Sequence, residues 1–192
     1  MIQEGIDQRF GKGLPAPQTG PAGRQGVFVR AMNAKAKFLN LKNTQFENPA
    51  GFDGIDHLSS AEDVAILSQY ALKNYPLVEN IVKKSYSELF SNPNHQRYEY
   101  LNNWNGLIGV YPGVAGVKIG NTEKAGHTTS VVSQRDGKKV LAVLFGAPGV
   151  LERDLWASQL LDLGFEKGWG FTPVGITEEQ LREKYASWKY FN

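Results

Sequence analysis

The feature that most constrains the fold is a two-residue turn signal, Asp136-Gly137, between two runs of β-branched and apolar residues. The two runs cover residues 128–134 and 140–145, and a third run of the same kind covers residues 114–119. Asp-Gly between such runs is a strong hairpin signal, because both central residues of a type I′ turn adopt positive φ. Turn-forming residues 123–126 separate the other two runs, so the pattern predicts an antiparallel meander of three strands.

Helical patterns precede the meander. Apolar side chains recur at helical spacing in residues 27–39, and Asn40 follows them, a residue type that accepts the left-handed conformation of a helix stop. Ser59 or Ser60 is predicted to cap a second helix, because acidic residues follow three positions later in capping-box spacing. Residues 11–26 are dense in glycine and proline and are predicted to form an irregular loop.

Helical patterns also follow the meander. A helix is predicted over residues 150–163 with Gly164 as its C-terminal stop. A last amphipathic segment, residues 177–190, begins with the capping-box pair Thr177 and Gln180. This order predicts an α+β fold, with a partial antiparallel sheet of three C-terminal strands, a helical subdomain and a covering C-terminal helix. The outer edge of the first strand would have no partner in such a sheet.

Composition argues against several classes of function. The chain has 21 basic and 19 acidic residues, which are interspersed, so we expect no nucleic-acid partner. The absence of cysteine excludes disulfides, thiol catalysis and cysteine-liganded zinc, and the histidines lack metal-site spacing, so we predict no cofactor and no metal. Residues 1–13 carry no secretory signal, and no run of about 18 apolar residues predicts a membrane anchor.

Five segments, in this order, resemble the low-mass penicillin-binding D-alanyl-D-alanine carboxypeptidases, which have a β-lactamase/transpeptidase-like fold. They are residues 32–37 (MNAKAK), 41–49 (LKNTQFENP), 59–65 (SSAEDVA), 116–126 (GVKIGNTEKAG) and 160–165 (LLDLGF). The resemblance implies a serine-type hydrolase that removes the terminal D-Ala of the peptidoglycan stem peptide. It also implies a location in the cell envelope.

The resemblance further implies three active-site motifs: Ser-x-x-Lys, Ser-x-Asn, and a Lys-Thr-Gly strand that lines the cleft. A serine hydroxyl is a weak nucleophile and needs an adjacent base, while a strand lysine supplies positive potential beside the substrate carboxylate. In these 192 residues no serine has a lysine three positions later, and none has an asparagine two positions later. We therefore expect an N-terminally truncated domain that contains neither the nucleophile nor its base.

The predicted organisation has three parts. Residues 1–26 are a Gly/Pro-rich remnant, residues 27–172 a partial catalytic domain, and residues 173–192 a C-terminal helical tail.

The third motif is present in altered form as Lys118-Ile119-Gly120, followed by Asn121 and Thr122. By resemblance these five residues bind substrate, with Lys118 as the cleft lysine and Gly120 allowing close approach of the substrate backbone. Ile119 stands where the family has a hydroxyl residue, which leaves two alternatives. Either recognition of the substrate carboxylate is weakened, or the replacement is neutral in a strand that favours β-branched residues.

Arg153 matches a family arginine near the carboxylate end of the cleft, and a guanidinium can donate two parallel hydrogen bonds to a carboxylate. The alternative is a solvated helix arginine beside Glu152 and Asp154.

Two hypotheses for the function remain. In the first, the chain is part of a D-Ala-D-Ala carboxypeptidase, inactive by itself and unable to react with β-lactams without the serine. In the second, it is a non-catalytic module that binds stem peptides or a partner chain.

Overall fold

The structure is a computed structural model that describes residues 21–90 and 98–188 of the chain. The described residues form two compact units. The first unit contains residues 21–67 together with Thr122–Lys124, and the second contains the described residues from Ser68 to Asn121 and from Ala125 onward.

The first unit begins with helix α1, Pro21–Phe38. The expectation of an irregular loop is therefore wrong for residues 21–26, because a proline suits the first turn of a helix, where its missing N–H has no partner. The rest of that predicted loop, residues 11–20, lies outside the described residues. Asn40 has φ 56°, which confirms the predicted left-handed stop just after the helix.

Helix α2, Ala61–Asn74, starts in the first unit at a side-chain cap. Ser60 Oγ accepts a hydrogen bond of 3.2 Å from the Asp63 N–H, so Ser60 rather than Ser59 is the capping residue. The Asp63 carboxylate is buried and accepts from the Asn43 N–H and the Thr44 hydroxyl, both at 2.7 Å. These bonds attach the preceding loop to the first turn of the helix.

The second unit contains helix α3, Pro76–Val82, and a hairpin of strands β1, Tyr86–Phe90, and β2, Tyr98–Asn102. The two strands pair antiparallel, with Tyr86 opposite Asn102.

The three-stranded sheet of the second unit has the order β3-β4-β5. Its strands are β3, Val114–Thr122, whose last residue falls to the first unit, β4, Gly126–Arg135, and β5, Lys138–Ala147. Asp136 and Gly137 have φ 45° and 75° between strands β4 and β5, which confirms the predicted two-residue hairpin. The α+β arrangement is confirmed with it.

Helix α4, Val150–Trp169, packs against strands β4 and β5 and ends at Gly170, whose φ is 70°. The prediction that Gly164 stops this helix is wrong. A Cβ at Gly164 would lie 2.6 Å from Cγ1 of Val140 on β5, so this position is glycine because the helix passes close to the sheet.

Helix α5, Glu178–Ala186, follows, and its predicted capping box between Thr177 and Gln180 is confirmed. Leu181 on α5 is fully buried and lies in one apolar cluster with Leu107, Val131 and Phe165. The last helix is therefore part of the main core. The division of the chain at residues 26 and 172 stays a prediction.

The segment between α4 and α5 is held by Asp162. Its carboxylate accepts from the Val174 and Gly175 N–H groups at 2.8 and 3.0 Å, and from the Tyr111 hydroxyl at 2.8 Å.

Within the described residues, no helix combines the length and apolarity needed to cross a membrane.

We expect Leu181→Ala to lower the free energy of unfolding by about 2–5 kcal/mol, because it leaves a cavity in this core. Urea denaturation followed by circular dichroism measures the change. Arg182→Ala is the matched control, since the neighbouring Arg182 side chain is 67% exposed. Equal effects of the two substitutions would show that α5 is not part of the core.

Candidate functional site

The predicted substrate strand is the second half of β3. Lys118 is exposed, and its ammonium group donates to the Ile119 carbonyl of the same strand. Side chains alternate along a strand, so Lys118, Gly120 and Thr122 share one face, while Ile119 and Asn121 belong to the other. The structure thus places the five predicted residues in one continuous strand and leaves the Lys118 amine open to solvent.

Gly120 has an internal reason to be glycine. A Cβ at this position would lie 2.8 Å from Oγ1 of Thr128 on the neighbouring strand β4. The close approach that the structure records at Gly120 is therefore between two strands of the sheet. The predicted approach of a substrate backbone at Gly120 stays a prediction.

Thr122 forms a hydrogen bond with Asp53, a residue that lies far from it in the sequence. Asp53 Oδ2 accepts a hydrogen bond of 3.3 Å from the Lys124 N–H, and the Thr122 hydroxyl bonds the same carboxyl group. The Thr122 hydrogen bond is the main cause that lowers the pKa of Asp53, and the Lys124 N–H, the Lys124 ammonium and His57 lower it further. At neutral pH Asp53 is a carboxylate, which can only accept hydrogen bonds. The Thr122 hydroxyl is therefore the donor in this hydrogen bond.

Asp53 lies on a loop with many internal hydrogen bonds. Gln45 and Leu58 pair as an isolated antiparallel bridge that closes the loop. Asn48 Oδ1 accepts from three successive N–H groups, those of residues 50–52, and Asn48 Nδ2 donates to the Phe52 carbonyl at 2.8 Å. Gly51, with φ 83°, completes the turn that presents Asp53. The fold brings Asp53 to residues 122–124.

Arg153 lies inside the second unit, with 2% of its side chain exposed. Its Nε and Nη2 donate to the two Asp154 carboxylate oxygens at 2.8 and 2.9 Å, and Nη2 also donates to the Trp104 carbonyl at 2.8 Å. Asp154 accepts in addition from the Gly106 N–H at 3.0 Å and from the Tyr185 hydroxyl at 2.9 Å. The alternative of a solvated helix arginine is therefore wrong.

The Arg153 guanidinium and the Asp154 carboxylate together join three segments: α4, residues 104–106 and α5. Burial raises the pKa of the Tyr185 hydroxyl, and the adjacent Asp154 carboxylate raises it further, so Tyr185 stays a proton donor at neutral pH. The predicted contact of Arg153 with a substrate carboxylate stays a prediction, and the guanidinium already has two partners within the unit.

In residues 21–90 and 98–188, no group of three or more histidine, aspartate and glutamate side chains is arranged to hold a metal ion. What the site offers is an exposed cation on a strand, a hydroxyl oriented by a carboxylate, and strand backbone. These are binding groups for an extended peptide with a carboxylate.

Residues 20–149 match the protein-family model described as D-alanyl-D-alanine carboxypeptidase. D-alanyl-D-alanine carboxypeptidase DacF of Bacillus subtilis is 38% identical over 147 residues, which are 76% of this chain and 37% of the relative. D-alanyl-D-alanine carboxypeptidase DacA of Escherichia coli is 30% identical over 163 residues, which are 84% of this chain and 39% of the relative. The chain thus spans less than half the length of these two curated relatives.

Solved structures have the same fold. The DD-transpeptidase of Streptomyces K15 matches with a TM-score of 0.72 and 24% identity, over 83% of this chain and 61% of that one. Penicillin binding protein 5 of Haemophilus influenzae matches with a TM-score of 0.64 and 28% identity, over 72% of this chain and 39% of that one. The predicted fold type is confirmed by these two likenesses.

We expect Arg153→Met to lower the free energy of unfolding by about 3–5 kcal/mol, because it leaves the Asp154 carboxylate buried without its counter-charge. Urea denaturation measures the loss, and Arg182→Met, at an exposed arginine, serves as control. Unchanged stability of Arg153→Met would contradict the structural role and favour the predicted contact with a ligand.

Proposed function

Since the chain belongs to the D-alanyl-D-alanine carboxypeptidase family, we propose that it acts on peptidoglycan stem peptides in the cell envelope. In this proposal it contributes the strand that holds the D-Ala-D-Ala end of the peptide in a serine-type carboxypeptidase. The observation that carries the proposal is the position of the Lys118–Thr122 segment in strand β3, with an exposed lysine amine.

The edge of the sheet supports this role. In the described part of the sheet, β3 is the first strand and has only β4 beside it. An extended peptide can add to such an edge through main-chain hydrogen bonds. The Lys118 ammonium would then attract the terminal carboxylate of the peptide, and Thr122 would accept an N–H group from it.

The chemical step needs groups that these 192 residues do not contain in the expected motif. No Ser-x-x-Lys occurs in the sequence, and a serine without a nearby base is a weak nucleophile. We therefore propose that this polypeptide by itself binds stem peptide without forming an acyl-enzyme.

The same observation favours a second candidate function, a non-catalytic module that binds stem peptides or a partner chain. The two candidates differ in what happens when a polypeptide with an intact Ser-x-x-Lys motif is added to the chain. Restored hydrolysis supports the carboxypeptidase role, whereas unchanged peptide binding without hydrolysis supports the module.

The first experiment uses the 192-residue chain with two probes, an N-acylated peptide ending in D-Ala-D-Ala and a fluorescent penicillin. We expect reversible peptide binding in calorimetry and no covalent penicillin adduct on a denaturing gel. Lys118→Ala should weaken peptide binding about two- to fivefold, the range for one exposed charge pair.

Lys167→Ala is the matched control, because Lys167 is an exposed lysine on α4. Equal affinities of the two variants would contradict the role of Lys118. A stable penicillin adduct would show that a nucleophile outside the Ser-x-x-Lys pattern is active.

A second experiment decides between the two readings of Ile119. Ile119→Thr restores the hydroxyl that the family motif has, and we expect it to tighten peptide binding about fivefold, as one added hydrogen bond does. Ile119→Val is the control, since valine has the shape of threonine without its hydroxyl. If both variants bind as the natural chain does, the isoleucine is a neutral replacement.

A further inference from the structure

We infer that Asp53 is a positioning residue for ligand binding, which holds the Thr122–Lys124 turn and orients the Thr122 hydroxyl for the peptide. The inference rests on the function proposed above. It adds a residue that lies about seventy positions away along the sequence, outside the Lys-x-Gly motif and its neighbours.

The contacts are specific to one carboxylate. Asp53 takes the Lys124 N–H at 3.3 Å and the Thr122 hydroxyl, so it binds a backbone group and a side chain on either side of Glu123. Two contacts of this kind fix both the backbone path of the turn and the side-chain rotamer of Thr122. The titratable groups that face Asp53 are the Lys124 ammonium and the His57 imidazole, and both favour its ionised form.

The hydrogen-bond direction determines what Thr122 can bind. A hydroxyl has one hydrogen to donate and two lone pairs, and Thr122 donates its hydrogen to the Asp53 carboxylate in a hydrogen bond. The Thr122 oxygen can then offer only lone pairs, which suit an amide N–H of a peptide and repel a carboxylate. Lys118 and Thr122 are thereby assigned to different chemical groups of one ligand.

The loop that carries Asp53 is ordered without a core of its own. Phe52 and Ile55 are 73% and 88% exposed, so apolar burial does not hold this part of the chain. Its order comes from polar contacts, such as the Glu47 N–H donating to His57 Nδ1 at 2.9 Å and the Asp56 N–H donating to Glu47 Oε1 at 3.2 Å. Such a loop contributes little to the stability of a core. Its effect on binding of the proposed ligand would come from its contact with residues 122–124.

The same loop supplies a matched control. Asp56 is an exposed carboxylate three residues after Asp53, and among the described residues its side chain has no hydrogen bond to the turn. Asp56→Ala therefore removes the same charge from the same loop and leaves the Thr122–Lys124 turn intact.

The first measurement needs no ligand. We expect Asp53→Ala to shift the Lys124 amide resonance and to speed its hydrogen exchange, and Asp56→Ala to change neither. In the natural chain the chemical shift of the Lys124 amide should change with pH as the Asp53 carboxylate becomes protonated, with a midpoint below the ordinary pKa of aspartate. Unchanged Lys124 exchange in Asp53→Ala would overturn the inference whatever the peptide does.

The second measurement is affinity for the N-acylated D-Ala-D-Ala peptide. Asp53→Ala and Thr122→Val should each weaken binding at least about threefold, and the double variant should be little weaker than either, as residues acting through one contact are non-additive. Thr122→Ser, which keeps the hydroxyl, should bind the peptide more tightly than Thr122→Val does, and Asp56→Ala should bind it as the natural chain does.

Two results separate this inference from the proposed function. If the natural chain binds no peptide while Lys124 exchange responds to Asp53→Ala, the proposed function fails and the contact itself stands. If the natural chain binds the peptide and Asp53→Ala binds it equally well, the positioning role fails and the proposed function stands.

Discussion

The buried Asp154 carboxylate is the interaction on which the second unit depends most. It receives hydrogen bonds from Arg153 on its own helix, from the Gly106 N–H and from the Tyr185 hydroxyl of α5. Transfer of a charge out of water is costly, and it is tolerated only when every lone pair finds a donor. Three segments distant in sequence must therefore arrive together, which makes the fold of this unit cooperative.

Local signals predicted the local structure well. The Asp136-Gly137 turn, the Asn40 stop and the Thr177–Gln180 capping box each depend on a few neighbouring residues, and each is confirmed. The prediction for Gly164 is wrong because this glycine is required by a close contact with Val140 on another element. A glycine at a helix stop and a glycine at a close contact look the same in a sequence.

The candidate site was predictable only in part, for the same reason. Lys118 and its neighbours stand in one run that a motif can describe, so the sequence alone located the strand. The partners that define Thr122 and Arg153 are remote: Asp53 reaches Lys124 across 71 positions, and Trp104 reaches Arg153 across 49. Spacing rules carry no information about contacts between residues so far apart in the sequence. An aspartate in a turn looks the same in the sequence whether or not it binds another segment.

The spacing of side chains along strand β3 sets a minimum length for a ligand that contacts both Lys118 and Thr122. Lys118 and Thr122 lie four residues apart on one face, and a strand advances ~3.3 Å per residue, so their side chains leave the backbone roughly 13 Å apart. Between them stands Gly120, which presents bare main chain. An extended D-Ala-D-Ala unit covers only about 7 Å. In the proposed function, a ligand that contacts both side chains must therefore be longer than the terminal dipeptide, and the spacing of Lys118 and Thr122 would select for the length of the stem as well as for the chemistry of its end.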